Sequence, residues 1–264
     1  MSSPLELGSS GADVQALQQA LAAKGFNPGG ADGNFGPATQ AALIAFQRSE
    51  SLVPDGIAGP ATAAALGLAE VPEVPSAVPA VTVQIVSQMF PVTPVANITA
   101  NLPPVLQALV TASLDDKDMV LMALGTIRAE TESFEPISEG QSQFNTSPGG
   151  QPFDLYDNRK DLGNQGPPDG ANFRGRGFVQ LTGRANYTHY AQEIGQDLVN
   201  NPGLANQPDI ASVLLARFLA GRESAIRTAL AESNLGAARR LVNGGSNGLD
   251  RFTSAFTIGS QLLT

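Results

Sequence analysis

The sequence predicts a mainly α-helical protein with two domains: a three-helix N-terminal domain and a larger, mostly helical (α+β) C-terminal domain. Three observations support this fold class. A short motif repeats near the N-terminus, a proline-rich segment follows it, and the rest of the chain has helical hydrophobic periodicity with few strand signals. The 264 residues, 42% of them hydrophobic, are enough for two small domains or one large one.

The N-terminal repeat is DGNFGPATQAAL at residues 32–43 and DGIAGPATAAAL at residues 55–66. In each copy Asp-Gly makes a turn, and the proline fits the first turn of the helix that follows. Upstream of the repeat, Val14, Leu17 and Leu21 share one face of a further helix. The pattern therefore predicts a compact three-helix unit.

This unit, residues 1–67, resembles the bacterial peptidoglycan-binding module. The strings LGSSGADVQALQQAL, DGNFGPATQAALIAFQ and LVPDGIAGPATAAAL carry the resemblance. It implies bacterial peptidoglycan as the partner. A generic helical bundle with repeated helix starts is the alternative interpretation.

A linker is predicted at residues 68–81, where Pro72, Pro75 and Pro79 alternate with small and apolar residues. Such a composition is typical of a semi-rigid, extended chain. The second domain is then expected at residues 82–264. Its periodicity predicts helices near residues 101–113, 115–134, 184–195, 208–220, 222–232 and 234–242.

Glu130 is expected near the C-terminal end of a helix that is apolar on nearly every side. The negative helix end and burial both favour a protonated carboxyl, which is the form that a general acid needs. Pro136 ends the helix, so Glu139 can fold back to face Glu130. Two facing carboxylates are the minimal glycosidase site. Spacing alone leaves open that these are surface charges, or that Glu135 replaces Glu139.

Three strings resemble the family 19 glycoside hydrolases, which include chitinases and lysozyme-like phage endolysins. They are AETESFEPISEG, NFRGRGFVQLTGRANY at residues 172–187 and LVNGGSNGLDR at residues 241–251. The resemblance implies a lysozyme-like helical fold and inverting hydrolysis. It also implies that Glu130 is the general acid and that Glu139 activates water. Ala129 stands where the family often carries His.

Further candidates lie on these motifs or in the loops between them. The polar ones are expected to bind substrate or orient water, or else to tie loops and cap a helix. Because the chain has no Trp, stacking on sugars is expected to fall to the aromatic candidates. The alternative is that these residues belong to the core. Glu132 is expected on the exposed side of its helix. The substrate-binding candidates are Gln180, Thr182, Asn243, Tyr156, Phe173, Tyr187 and Arg176.

The composition argues against several classes of function. With no Cys and one His, thiolate chemistry and multi-histidine metal sites are excluded, and we expect no cofactor and no metal. A net charge of −9 argues against nucleic acid. No run reaches the roughly 18 apolar residues of a membrane helix. The start of the chain does not resemble a signal peptide. We expect a monomer that is made in the cytoplasm and acts on the cell wall after release.

The favoured interpretation is a peptidoglycan hydrolase of the lysozyme type, which cuts between N-acetylmuramic acid and N-acetylglucosamine. A chitinase is the close alternative, because the same family cuts chitin, but the binding module favours peptidoglycan. A non-catalytic wall-binding protein with a decayed enzyme domain is the third interpretation. The presence of both Glu130 and Glu139 argues against it.

Overall fold

The computed structural model describes residues 4–68, 74–245 and 247–263. The chain divides into two compact units between Pro75 and Ser76. Helices dominate both units, so the predicted mainly α-helical class is confirmed. No helix within these ranges is long and apolar enough to cross a bilayer.

The N-terminal unit contains helices α1 (Ala12–Ala23), α2 (Pro37–Ser49) and α3 (Pro60–Ala65). Both α1 and α2 present an apolar face to one core, because their hydrophobic residues recur at helical spacing. Core members larger than alanine are Leu5, Val14, Leu17, Leu21, Phe35, Leu43, Phe46 and Leu66.

A buried glutamine organises the first copy of the repeat. Gln18 donates from Nε2 to Asp32 Oδ1 at 2.9 Å and to Thr39 Oγ1 at 3.0 Å. Its Oε1 accepts from the backbone N–H of Gly33 at 2.9 Å, and the positive φ of 74° there suits glycine. The backbone N–H of Asn34, followed by the Gln18 amide, lowers the pKa of Asp32.

The second copy has the same arrangement around Gln47. Its Nε2 donates to Asp55 Oδ1 at 2.8 Å and to Thr62 Oγ1 at 3.3 Å. Its Oε1 accepts from the backbone N–H of Gly56 at 2.9 Å. The sequence repeat is therefore also a repeat of one hydrogen-bonded network, in which a helical glutamine holds the following turn.

The C-terminal unit begins at Ser76, earlier than the predicted start at Thr82. The backbone N–H of Ala77 donates to the carbonyl of Asp115 at 2.8 Å, which ties the end of the predicted linker to this unit. Pro72, also in the predicted linker, lies outside the described residues.

Helices make up most of the C-terminal unit, and the positions predicted for α8 to α11 agree closely with those observed. The helices are α4 (Val83–Met89), α5 (Val95–Thr111), α6 (Lys117–Glu130), α7 (Asp169–Asn172), α8 (Arg184–Ile194), α9 (Pro208–Ala220), α10 (Glu223–Ala231), α11 (Leu235–Asn243) and α12 (Leu249–Leu262). A two-stranded antiparallel sheet joins β1 (Ile137–Ser138) to β2 (Arg176–Gly177).

Helix α5 corrects the prediction of a helix that begins at residue 101. Pro103 and Pro104 lie inside α5 rather than at its start. A proline leaves the carbonyl four residues earlier without its helical donor. Here those carbonyls belong to Thr99 and Ala100, which are exposed, so water can bind them.

Helix α6 is the most deeply buried helix of this unit, and all of residues 119–129 are buried. Its N-cap is Asp116, whose carboxylate accepts from the first turn. The helix ends at Glu130, before the predicted end at residue 134. Glu132 and Phe134 have positive φ angles of 46° and 56°, which a continuing helix cannot contain.

Helix α12, which was not predicted, packs closely along α6. A Cβ atom added to Gly125 of α6 would lie 2.8 Å from Phe252 Cδ2 of α12. In the same way, a Cβ on Gly259 of α12 would lie 2.3 Å from Leu121 Cδ2. A side chain at either position would therefore force its neighbour on the other helix to shift, so the two glycines allow the close packing of α6 and α12.

We predict that Gln18→Leu destabilises the N-terminal unit by about 1–3 kcal/mol, because it leaves buried polar partners unsatisfied. The matched control is Gln19→Leu, since Gln19 is the exposed neighbour on the same helix and should change stability by less than about 0.5 kcal/mol. Native-state hydrogen exchange of the α1 and α2 amides in the full chain measures both effects. Equal protection in the two variants would contradict the prediction.

Candidate active site

Glu130 is the last residue of α6, and its carboxylate is bound on one side. Arg239 Nη2 donates to Glu130 Oε1 at 2.6 Å. Within the described chain, Oε2 has no hydrogen-bond partner, and the side chain is 18% exposed. The burial expected for Glu130 is accompanied by a charged partner, because the Arg239 guanidinium lies beside the carboxylate. The free oxygen is the one that can meet a substrate.

Arg239 belongs to α11, and its side chain is only 1% exposed. Its Nε and Nη2 donate to the carbonyl of Asn247 at 3.2 and 3.0 Å. Asn243 Nδ2 donates to the same carbonyl at 3.0 Å, and Asn243 Oδ1 accepts from the backbone N–H of Gly245. The turn after α11 thus holds the arginine, and the arginine holds Glu130.

The same turn lies against the end of α6. Gly248 has a φ of 68°, and a Cβ there would lie 2.9 Å from the carbonyl oxygen and 3.0 Å from the Cβ of Ala129. Ala129 is the residue at which the family often carries His. With alanine at this position, the backbone of the turn directly contacts the helix end beside Glu130.

Glu139 is held by three donors from three separate segments. Its Oε1 accepts from Tyr156 Oη at 2.9 Å and from Asn145 Nδ2 at 3.0 Å. Its Oε2 accepts from the backbone N–H of Gly175 at 3.2 Å. An ionised carboxylate accepts hydrogen bonds only, so this set of donors suits a base.

The two-stranded sheet positions the backbone of Glu139. Directly after β1, the Glu139 backbone N–H donates to the carbonyl of Gly175 at 2.8 Å, which extends the pairing with β2. A Cβ on Gly175 would lie 2.8 Å from Gln180 Oε1 and 3.3 Å from both Thr182 Oγ1 and Glu139 Oε2. The structure therefore brings Glu139, Gln180 and Thr182 together around one glycine.

Gln180 and Thr182 are both partly exposed. Gln180 Nε2 donates to the carbonyls of Ile137 and Gly177 at 3.0 and 2.9 Å, and Thr182 Oγ1 donates to the Gln180 carbonyl at 2.9 Å. Both side chains thus tie the loop. They also place oxygen atoms beside Glu139, around Gly175.

Three predicted substrate-binding residues are wrong, because they are buried. Phe173 and Tyr187 are 2% and 0% exposed and pack edge to face with ring centroids 5.2 Å apart, so neither can stack on a sugar. Arg176 Nη1 donates to the Asn172 carbonyl at 2.6 Å and to the Tyr187 hydroxyl at 2.9 Å. Its role is to support the loop from inside.

Tyr156 is partly exposed, and its hydroxyl donates to Glu139 rather than pointing freely to solvent. Burial, followed by the bond to Glu139, raises the pKa of Tyr156 to about 12. The hydroxyl therefore keeps its proton at neutral pH and remains a donor to the carboxylate.

The neighbouring carboxylates differ from the two candidates. Glu132 pairs with Arg128 at 2.6 Å and with Arg251 at 3.1 Å, and its side chain is 43% exposed. The bond from Arg128 is the main cause that lowers the pKa of Glu132. Glu135 is exposed. No hydrogen bond or ion pair in the described residues joins Glu130 to Glu139 or to a common partner.

Sequence reasoning missed Arg239 and Asn145. Arg239 had one available signal, a charge on the apolar side of α11 one turn before Asn243. Asn145 is fully buried in a polar loop, and no local pattern distinguishes it from its exposed neighbours.

Two family models match this chain. Residues 10–66 match the putative peptidoglycan binding domain, and residues 151–220 match chitinase class I. Both predicted resemblances are confirmed: the chain carries a peptidoglycan-binding domain and a glycoside hydrolase family 19 domain. The second match contains Gln180 and Thr182, and it begins after Glu139.

Curated relatives are also similar to parts of this chain, and two of them carry chitinase or family 19 descriptions. The acidic 27 kDa endochitinase of Solanum lycopersicum is 58% identical over 40 residues, which are 15% of this chain and 16% of the relative. A glycosyl hydrolase family 19 domain-containing protein of Haemophilus influenzae is 32% identical over 97 residues, which are 36% of this chain and 45% of the relative. The chain thus spans less than half the length of each of these relatives.

Among solved structures, a bacterial family 19 chitinase is similar with a TM-score of 0.50 and 20% identity. The similarity covers 69% of this chain and 95% of that one. At this level of identity it indicates a shared fold.

We predict that Glu130→Gln nearly abolishes cleavage, because the amide keeps the bond to Arg239 but cannot donate a proton to a leaving oxygen. General acid catalysis contributes roughly 10²–10⁴-fold. Glu139→Gln should be similarly severe, whereas the paired, half-exposed Glu132 provides the matched control as Glu132→Gln. Turnover of purified peptidoglycan measures all three, with circular dichroism to verify folding. Wild-type turnover by Glu130→Gln would rule out this assignment.

We predict that Arg239→Met lowers the free energy of unfolding by about 3 kcal/mol, because it removes one partner of a largely buried ion pair. Arg240→Met is the matched control, since Arg240 is the exposed neighbour and should cost less than about 0.5 kcal/mol. Urea unfolding followed by circular dichroism compares them. If both variants unfold at the same urea concentration, Arg239 does not support the end of α6.

Proposed function

We propose that this chain is a peptidoglycan hydrolase that cleaves the bond between N-acetylmuramic acid and N-acetylglucosamine with inversion at the anomeric carbon. The observation that carries the proposal is the presence in one chain of a peptidoglycan-binding domain and a family 19 domain. The enzyme works as a monomer on the cell wall, after it has left the cytoplasm.

Glu130 is the proposed general acid. Its Oε2 is free of protein partners within the described residues, so a proton on this atom can pass to the glycosidic oxygen. Arg239 stays on Oε1 throughout. Proton transfer leaves a carboxylate on Glu130, and the guanidinium 2.6 Å away stabilises that new charge.

Glu139 is the proposed general base. Its three donors orient it, and the oxygens of Gln180 and Thr182 lie next to it around Gly175. We place the attacking water in this polar cluster. Glu139 takes a proton from the water while the oxygen attacks the anomeric carbon on the face opposite the leaving group, which inverts its configuration.

Chitin is the alternative substrate, and the chitinase class I match favours it. The peptidoglycan-binding domain supports peptidoglycan as the substrate, because a tethered binding domain raises the local concentration of the catalytic domain on the polymer that it binds. Asn243 is assigned to the turn that holds Arg239, which makes it a support of the site.

We predict that the wild-type chain clears suspensions of purified peptidoglycan and releases far less soluble sugar from chitin. The new reducing ends should be N-acetylmuramic acid, and NMR of fresh product should detect the inverted anomer. A chain without residues 1–67 should cleave the same bond, more slowly on intact walls. The Glu130→Gln chain controls for contaminating hydrolases.

Preferential release of sugar from chitin would replace this proposal with the chitinase alternative. Binding to the wall without cleavage of either polymer would indicate a non-catalytic wall-binding protein. A retained anomer would overturn the role of Glu139 as a base.

A further inference from the structure

Three exposed apolar side chains lie in the chain segments that position Glu139. Phe144 is 78% exposed, the largest exposure among the large hydrophobic residues that the structure describes. Leu155 and Ile137 are 45% and 41% exposed. We call these three residues the apolar rim. Exposing such side chains to water is unfavourable, so covering them with an apolar surface of a ligand lowers the free energy of the complex.

Each rim residue is tied to the position of Glu139. Phe144 directly precedes Asn145, and Leu155 directly precedes Tyr156, whose side chains both donate to Glu139 Oε1. Consecutive Cα atoms are about 3.8 Å apart, so both apolar residues stand next to the donors of the carboxylate. Ile137 lies in β1, whose end positions Glu139.

The loop that carries Phe144 is preorganised. Asn145 is 0% exposed and also donates to the Gly140 carbonyl at 2.9 Å, while its Oδ1 accepts from the Ser142 N–H at 2.8 Å. The Leu155 N–H donates to the Asn145 carbonyl at 3.2 Å, which joins the two parts of the rim. Phe144 is therefore held outward by a buried neighbour, rather than left in an unstructured loop.

We propose that the apolar rim, with Phe144 as its main member, is a sugar-stacking site that binds a pyranose ring of the glycan strand next to Glu139. This inference rests on the proposed function and deepens it. One face of an N-acetylhexosamine ring presents C–H groups with partial positive charge, and the face of an aromatic ring is negative. Phe173 and Tyr187 are buried and the Tyr156 hydroxyl is bound to Glu139, whereas the Phe144 ring is 78% exposed and can stack.

The kinetic test uses Phe144→Ala with soluble glycan strands stripped of their peptides. Loss of a stacking contact should raise KM by about 2- to 10-fold with little change in kcat. Phe144→Trp should restore the wild-type KM, and Phe144→Leu should not. The matched control is Val110→Ala, which removes an exposed apolar side chain from α5 and should leave both constants unchanged.

A second measurement is independent of cleavage. The chain has no Trp, so Phe144→Trp in the Glu130→Gln background introduces a single indole that reports on this position. Adding the same glycan strands should change its fluorescence, whereas the indole of Val110→Trp should not respond. This fluorescence measurement separates the stacking proposal from the proposed hydrolase function, because it detects stacking even when the wild-type chain cleaves nothing.

A wild-type KM in Phe144→Ala, or an unchanged Phe144→Trp signal while the strands bind, would overturn the stacking site and leave the proposed hydrolase intact. A Phe144→Trp signal that changes with protein concentration alone would assign the rim to self-association, and this would also overturn the proposal.

Discussion

The ion pair between Arg239 and Glu130 is the interaction on which the catalytic unit depends. A carboxylate at the C-terminal end of a buried helix faces a negative helix dipole and incomplete solvation. Arg239 supplies the compensating charge, and it is itself almost fully removed from water. The turn after α11 therefore supports the glutamate at the end of α6 through Arg239, which couples helix packing to the chemistry.

The two glutamates are supported in different ways, and the difference matches their proposed roles. Glu130 has one charged partner and one free oxygen, whereas Glu139 has both oxygens occupied by neutral donors. A proton donor needs an oxygen that can reach the substrate and a means of stabilising the charge left behind. A base needs a fixed orientation toward water. One family motif supports each glutamate, so motifs that are far apart in the sequence serve the same site.

Local patterns were sufficient for much of this fold. The repeated Asp-Gly and Pro signals predicted the helices of the N-terminal unit, and periodicity predicted α8 to α11. Sequence reasoning failed where distant packing decides the outcome. Pro103 is tolerated within α5 because the carbonyl that it leaves unpaired belongs to an exposed residue. Helix α12 packs against α6 through one glycine in each helix. Glu130 was placed correctly at a helix end, but its partner lies 109 residues further along the chain.

The contact between Ala129 and Gly248 also constrains which residue the turn can carry. A side chain at position 248 would bring its Cβ to 2.9 Å from the carbonyl oxygen of Ala129, and the φ of 68° there favours glycine. Any other residue at this position therefore requires a shift of the turn or of the helix end beside Glu130. Substitutions at position 248 would thus act indirectly, on the placement of Glu130 rather than on its chemistry.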